Sequence, residues 1–219
     1  MPITPTYPGV YIEEIASGVR TITGVATSVT AFLGRALRGP ANDPITVNNW
    51  GDFQRAFGDL HVDYPMSYAV RDFYLNGGQQ AAIVRLQKGA AKSQNGDLKL
   101  EAASEGKWGD KMTYAVDSKG ITDDVATRYN IAKTDLFNLT IYEDPGKGRV
   151  EQFLNVAVKT DAGSRRLDRV LETESNLARV QKNNDGTPVL VAGKPADSLP
   201  AEDPSNAAAT PAQFKKFTG

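Results

Sequence analysis

The chain contains no cysteine and a single histidine, His61, in 219 residues. Without cysteine there is no disulfide, no thiol nucleophile and no thiolate metal site. A lone histidine speaks against multi-histidine zinc centres and Ser-His-Asp chemistry. No apolar run approaches the ~20 residues of a membrane span. The N-terminus lacks the basic region followed by an apolar block that marks a signal peptide. No charge sign dominates either: 25 basic residues stand against 26 acidic ones, a formal net charge of -1. A general nucleic-acid footprint is therefore not expected. Together these absences describe a soluble, cytoplasmically made protein with no direct membrane insertion. Its length suits one or two domains with a real core.

Catalytic motifs are also missing. Gly106-Lys107, Gly146-Lys147 and Gly193-Lys194 lack the upstream glycine and following hydroxyl of a phosphate-binding loop. Gly77-Gly78 follows a predicted helix, so it caps rather than cradles phosphate. Glu13-Glu14, Asp123-Asp124 and Glu143-Asp144 are paired carboxylates, but adjacent strand positions point to opposite faces. Solvated or salt-bridged charges are the plainer reading. His61-Val62-Asp63 reads as a loop near a helix cap. Asn138-Leu139-Thr140 matches a glycosylation acceptor but lies in an apolar strand of a chain without a secretion signal. Trp108, between Gly106 and Gly109, suits packing over a domain junction better than a ligand platform. No enzyme, cofactor or metal site is expected.

What the chain does have is a distinctive beginning. Pro2, Pro5 and Pro8 frame an apolar, β-branched opening with no helical spacing. Proline at every third position stiffens an extended backbone and removes ladder donors, which predicts an arm or edge strand. Tyr7-Pro8-Gly9 leads into Val10-Tyr11-Ile12-Glu13-Glu14-Ile15, a strand of five or six residues that Ser17-Gly18 breaks. A second β-rich run through Val25, Val29, Ala31, Phe32 and Leu33 reads as a strand buried on both faces. An apolar arm left unpaired is an aggregation hazard. It can add a strand to another chain's sheet or pair within its own domain, and the residues alone leave both open.

Further along, Asn48 or Asn49 can cap a short helix carrying Trp50, Phe53, Ala56 and Phe57 on one face, ended by Gly58. Tyr64-Pro65 opens a second helix, with Met66, Ala69, Val70 and Phe73 as its inward stripe, and Asn76-Gly77-Gly78 stops it. Ala81 to Leu86 reads as a buried strand. Strand, helix, helix, strand is an α/β unit. A polar, small-residue connector from Lys88 to Gly96 precedes short strands over 98–102, 112–116, 136–142 and 149–154, several alternating as half-buried antiparallel strands do. Asp144-Pro145-Gly146-Lys147-Gly148 is the turn between the last two. A helix is expected over Arg166 to Ser175, with Leu167, Val170 and Leu171 inward. In the Pro- and Ala-rich remainder only Val189-Leu190-Val191 is a strand candidate, and 197–211 reads as a linker. Phe214 and Phe217 would start an element that the chain then lacks. The fold class is α/β (α+β), a mixed-sheet inner domain with an inserted β-rich outer domain. Its parts are an extended arm (1–20), an inner portion (21–88), the outer domain (89–182) and a flexible segment (183–219).

Several stretches in order resemble the contractile-tail sheath proteins of phages and related injection systems. They are Tyr7 to Glu14, Gly18-Val19-Arg20-Thr21-Ile22, Val25 to Gly34 and Arg38-Gly39-Pro40. Asp52-Phe53 with Phe57-Gly58, Ala69 to Tyr74, and Asn76-Gly77-Gly78 before Ile83-Val84-Arg85 continue the series. Glu105 to Asp110, Phe137-Asn138-Leu139, Val150 to Val156 and Leu171 to Ser175 extend it into the outer domain. The resemblance is dense over residues 7–86, patchier to about 180 and absent beyond.

The resemblance implies a structural subunit that polymerises helically with its own copies around an inner tube and drives contraction. Its other partners would be baseplate and terminator proteins, in a virion tail or an injection particle assembled in the bacterial cytoplasm. It favours strand exchange by the arm, placing Tyr7, Pro8, Gly9, Val10, Tyr11, Ile12, Glu13, Glu14 and Ile15 at a subunit interface. It also implies a later segment completing the inner domain, which does not appear before Gly219. The chain is thus expected to be an N-terminal portion or a shortened relative, with the strands at 29–33 and 82–86 lacking part of their sheet. Two competing classes are a carbohydrate- or host-surface module using Trp108 and Tyr114, and a hydrolase using Asp123, Asp124 or Glu143.

Overall fold

Local signals set the first unit. In the computed structural model, which describes residues 29–145, 148–198 and 215–219, Asn49 caps helix α1 (Trp50–Phe57) by accepting the Asp52 N–H at 2.8 Å. Gly58 ends that helix at φ 92°. Helix α2 (Pro65–Leu75) begins on its proline, where the missing N–H is no loss. Both helices pack on one face of a three-stranded sheet. In it β3 (Gln80–Arg85) lies between β1 (Val29–Gly34), to which it runs parallel, and the antiparallel β2 (Pro44–Val47).

The core of this unit is aromatic. Phe53, Phe57, Val70, Ala81 and Ile83 are buried, and the Phe53 ring stacks on Trp50 at 5.1 Å. Burying such side chains stabilises by roughly 2–3 kcal/mol each. The stripe of α2 differs from expectation at two positions. Ser67 is buried, its hydroxyl donating to the Tyr64 carbonyl at 2.8 Å, whereas Ala69 faces outward. A hydroxyl that finds a carbonyl one turn back can enter the interior without desolvation loss.

The second unit is β-rich. Its antiparallel sheet runs β10 (Lys215–Lys216), β6 (Thr113–Asp117), β7 (Phe137–Tyr142), β8 (Val150–Val156). A smaller sheet joins β4 (Gln94–Asn95), β5 (Leu100–Ala102) and β9 (Ala178–Val180). Between the sheets lies one large core including Leu98, Met112, Tyr114, Leu139, Ile141 and Phe153. Helix α4 (Leu167–Glu174) contributes Leu167, Val170 and Leu171 to it, as the spacing predicts. Helix α3 (Asp123–Tyr129) has no fully buried side chain, but Val125, Ala126 and Tyr129 are half-buried against Ile121, Ile131 and Leu136; Thr122 caps it and Asn130 ends it in the left-handed region.

Three expectations need correction. Residues Val189 to Val191 form no strand; only an isolated bridge joins Lys182 to Pro188. The expected flexible segment 183–219 is not loose at its described end: Lys215–Lys216 form a strand and Phe217 is 1% exposed in the core of the β-rich unit, edge-on to Tyr114. Strand β1 is not buried on both faces, since Val29 and Leu33 are 54% and 65% exposed. The arm, including Tyr7 to Ile15, lies outside the described residues, as does most of the 197–211 stretch.

Candidate assembly interface

The exposed side of β1 follows from strand geometry. Alternate residues point to opposite faces, and the register aligns Phe32 with Ile83 and Ile45 beneath the helices. The next row, Leu33 with Val84 and Pro44, and the row of Ala31, Ala82 and Thr46, fall on the other face. Among the described residues nothing covers that face, and β1 pairs with β3 alone, so within them its second edge has no strand. An apolar sheet face beside an open edge is a site for association with another chain. Chemically it can supply main-chain hydrogen bonds and apolar burial, and no catalytic group.

Behind this face the two units are tied by a polar junction. Gly39 is its crossing point, with φ 105°; a Cβ there would sit 2.7 Å from the Ala56 carbonyl oxygen and from the Phe57 ring. Its N–H donates to the Ser104 hydroxyl at 3.0 Å. The buried Arg85 donates to three carbonyls: Ala36 at 3.3 Å, Gly39 at 2.8 Å and, in the second unit, Glu105 at 2.7 Å. Burial lowers the Arg85 pKa, and the nearby Glu105 carboxylate opposes that shift. Arg38, also buried, pairs with Glu143 at the start of the β7–β8 turn and donates to the Gln54 carbonyl at 3.2 Å. The second Glu143 oxygen accepts the Arg149 N–H at 3.3 Å. Burial, and after it the Arg38 cation, pull the Arg149 guanidinium below its ordinary value. Such bonds fix one unit against the other, because breaking any of them strands a buried polar partner.

A cleft of about 540 Å³ opens beside this junction, with Trp108 and His61 in its walls. The indole N–H of Trp108 and the Nε of Arg38 have no hydrogen-bond partner there. Trp108 is 6% exposed and Tyr114 is 2% exposed, its hydroxyl donating to Asn95 at 3.1 Å. Neither can present a face to a sugar, which overturns the recognition module built on them. The packing of Trp108 at a domain junction is the arrangement its flanking glycines predict.

Asp123 pairs with Lys133, apart from the other candidates, whereas Glu143 and Asp144, adjacent in the β7–β8 turn, line the cleft with His61 and Asp63 and are paired with Arg38 and Lys111 respectively. His61 Nδ1 accepts the Asp63 N–H at 3.2 Å just before α2. Asn138 is buried, donating to Asp117 and to the Lys119 carbonyl, and so is no modification acceptor. Among the described residues no group of acidic or histidine side chains has the arrangement of a metal site, and no helix is long and apolar enough to cross a membrane. Arg38 and Arg85 stand in stretches that carry the family resemblance, but no signal in the sequence assigns them to a junction.

No protein-family model and no curated protein sequence matches the chain. Solved structures do. A sheath tail protein of Listeria innocua superposes with a TM-score of 0.50 at 16% identity, over 87% of this chain and 33% of that one. A weaker likeness, TM-score 0.42 at 15% identity, is to a sheath tail protein of Desulfitobacterium hafniense, over 85% and 38% of the two chains. The chain spans about a third of the length of the Listeria protein. At this identity the likeness is one of fold: an α+β arrangement shared with the matched part of a sheath tail protein.

Proposed function

We propose that the chain is part of a contractile-tail sheath subunit that assembles with copies of itself around an inner tube. The observation that carries this is the apolar face of β1, with Val29 and Leu33 exposed and no second strand beside it among the described residues, in a fold shared with the matched part of a sheath tail protein. Head-to-tail contacts between identical copies that do not close generate helical tubes. The arm, Tyr7 to Ile15, adds its strand to a neighbouring copy, where main-chain bonds give affinity and alternate side chains give register. Contraction is then a rigid-body rearrangement of packed subunits. The Arg38–Glu143 and Arg85 junction suits that role, because it lets the two units move as one. Tube, baseplate and terminator proteins are the remaining partners, and the process uses no catalytic step and no cofactor.

Electron microscopy of the chain within its full-length protein tests the proposal. Hollow helical tubes are expected from the parent. Deletion of residues 1–17, or Val10→Pro, should leave folded particles that form no long tubes, and Leu33→Gln should weaken assembly without unfolding the subunit. Normal tubes from the deletion would refute strand addition by the arm. Absence of tubes from the parent at every salt and concentration tried would refute the sheath reading.

A further inference from the structure

The cleft beside the junction holds donors without acceptors. Its walls combine Leu37 and Arg38 of the first unit with Lys107 and Trp108 of the second, around a space of about 540 Å³. Trp108 is 6% exposed, so it offers no ring face, but its indole N–H has no partner. The Arg38 side chain is 4% exposed; its terminal nitrogens serve Glu143 and the Gln54 carbonyl, and its Nε–H is left unmatched. The indole edge lies beside the segment that carries Arg38. A Cβ at Gly106 would sit 3.2 Å from Trp108 Cδ1, the ring atom next to the indole nitrogen, and 3.8 Å from the Leu37 carbonyl oxygen. Two buried N–H groups without acceptors are uncommon in a folded chain and call for an acceptor from elsewhere.

The acceptors that line the cleft are already engaged. Glu143 takes Arg38 on one oxygen and the Arg149 N–H on the other. Asp144 pairs with Lys111 at 3.2 Å, and Asp59 accepts the Gln54 amide and the Leu60 N–H at 3.2 and 2.7 Å. Asp63, 74% exposed, is left to solvent. The cations are less well served. Lys107 has no ion pair among the described residues, and the Arg149 guanidinium, repelled by Arg38, makes one long bond of 3.5 Å to the Arg55 carbonyl. The lining as a whole carries four basic and four acidic side chains and is formally neutral. A dianion such as phosphate would therefore meet Glu143 and Asp144 without a compensating surplus. A carboxylate brings one charge and two oxygens, enough for the two waiting N–H groups. Leu37, Tyr64 and Trp108 make the rest of the wall apolar, and a pocket of this size with a few fixed polar groups suits a small ligand.

We propose that this cleft binds a carboxylate on an apolar stem, which accepts hydrogen bonds from the Trp108 indole N–H and the Arg38 Nε–H while Lys107 and Arg149 neutralise its charge. A free small acid and an acidic side chain of another copy carry the same chemistry. Either one bonds to both units at once, so its binding stabilises the closed junction by mass action. The site does not depend on the sheath reading.

The 219-residue chain has two tryptophans, Trp50 and Trp108, and hence two indole signals in a nitrogen–proton correlation spectrum, which Trp50→Phe assigns. Sodium hexanoate is the probe. A saturable downfield shift of the Trp108 indole proton is expected, with Trp50 unmoved. Hexan-1-ol and inorganic phosphate at the same concentrations should leave the Trp108 signal in place. Lys107→Gln, at an exposed position, should weaken hexanoate binding several-fold. Trp108→Phe, followed through the backbone amides of Lys107 and Gly109, should weaken it at least as much, and the rest of each amide spectrum verifies that the variant is folded. No shift with hexanoate, the result for a cleft that holds water alone, would overturn the proposal. So would an equal shift with hexan-1-ol, or unchanged affinity in both variants. A Trp108 signal that moves with protein concentration before hexanoate is added, and against which hexanoate competes, identifies the carboxylate as that of another copy; a constant signal identifies a free acid.

Discussion

Replacing Arg85 by methionine should be among the most damaging single changes in the described part of the chain. The guanidinium is 5% exposed on its side chain and satisfies the carbonyls of Ala36, Gly39 and Glu105. Methionine keeps the stem but leaves three acceptors without that donor, and each unsatisfied buried group costs about 1–3 kcal/mol. Some carbonyls regain a partner by relaxation or water, so we expect a loss of about 3–5 kcal/mol, the range for removing one member of a buried charged network. For a chain of this size that lowers Tm by about 10 °C. Urea unfolding followed by tryptophan fluorescence is well suited as the assay. Trp50 reports on the first unit and Trp108 on the junction cleft. The Trp108 signal should be lost before the Trp50 signal in Arg85→Met if the junction opens first. Arg85→Lys, retaining a cation with fewer donors, should fall between the two. A loss below about 1 kcal/mol, with both tryptophans unchanged, would refute the idea that Arg85 holds the units together.

Two further outcomes follow from the same geometry. Gly39→Ala combines a positive φ with a Cβ pushed against the Ala56 carbonyl, and should cost about 2–3 kcal/mol in chemical denaturation. A neutral result would show that the crossing can move. Asp168 is held by both arms of Arg166, at 2.6 and 2.8 Å; burial raises its pKa, yet the Arg166 hydrogen bonds and charge outweigh this and leave it below the ordinary value. A depressed folded pKa means the unfolded chain takes up a proton first, so this stabilisation is present above the ordinary aspartate value of ~3.9 and is lost as pH falls below it. Asp168→Asn should therefore flatten the acid limb of a stability–pH curve. An unchanged acid limb would show that other carboxylates set it.

Several features were legible in the chain because their causes are local. Asn49, Gly58 and Pro65 mark helix boundaries by backbone chemistry alone, and the spacing of Leu167, Val170 and Leu171 marks the inward face of α4. The strands β6 to β8 were legible as strands, but only β8 mixes exposed and buried positions; β6 and β7 are buried along nearly their whole length rather than half-buried as expected. Helix α3 escaped because it is only seven residues long and its apolar face, Val125, Ala126 and Tyr129, is too short to show a period. The Lys215–Lys216 strand escaped because two residues carry no pattern, and Phe217 found its place only through positions more than a hundred residues earlier.

The sequence by itself determined the absence of cysteine chemistry, the order of strands and helices in the first unit, and the character of an apolar, proline-framed beginning. Those properties depend on residue type and near neighbours. Tertiary structure decided the rest. It turned Arg38 and Arg85 from ordinary charges into the bolts of a junction, because only folding brings them against Glu143 and the Glu105 carbonyl. It buried Trp108 and Tyr114, removing them as a binding surface, and it left Val29 and Leu33 uncovered. Exposure is a relation between distant segments, and no window of neighbouring residues contains it.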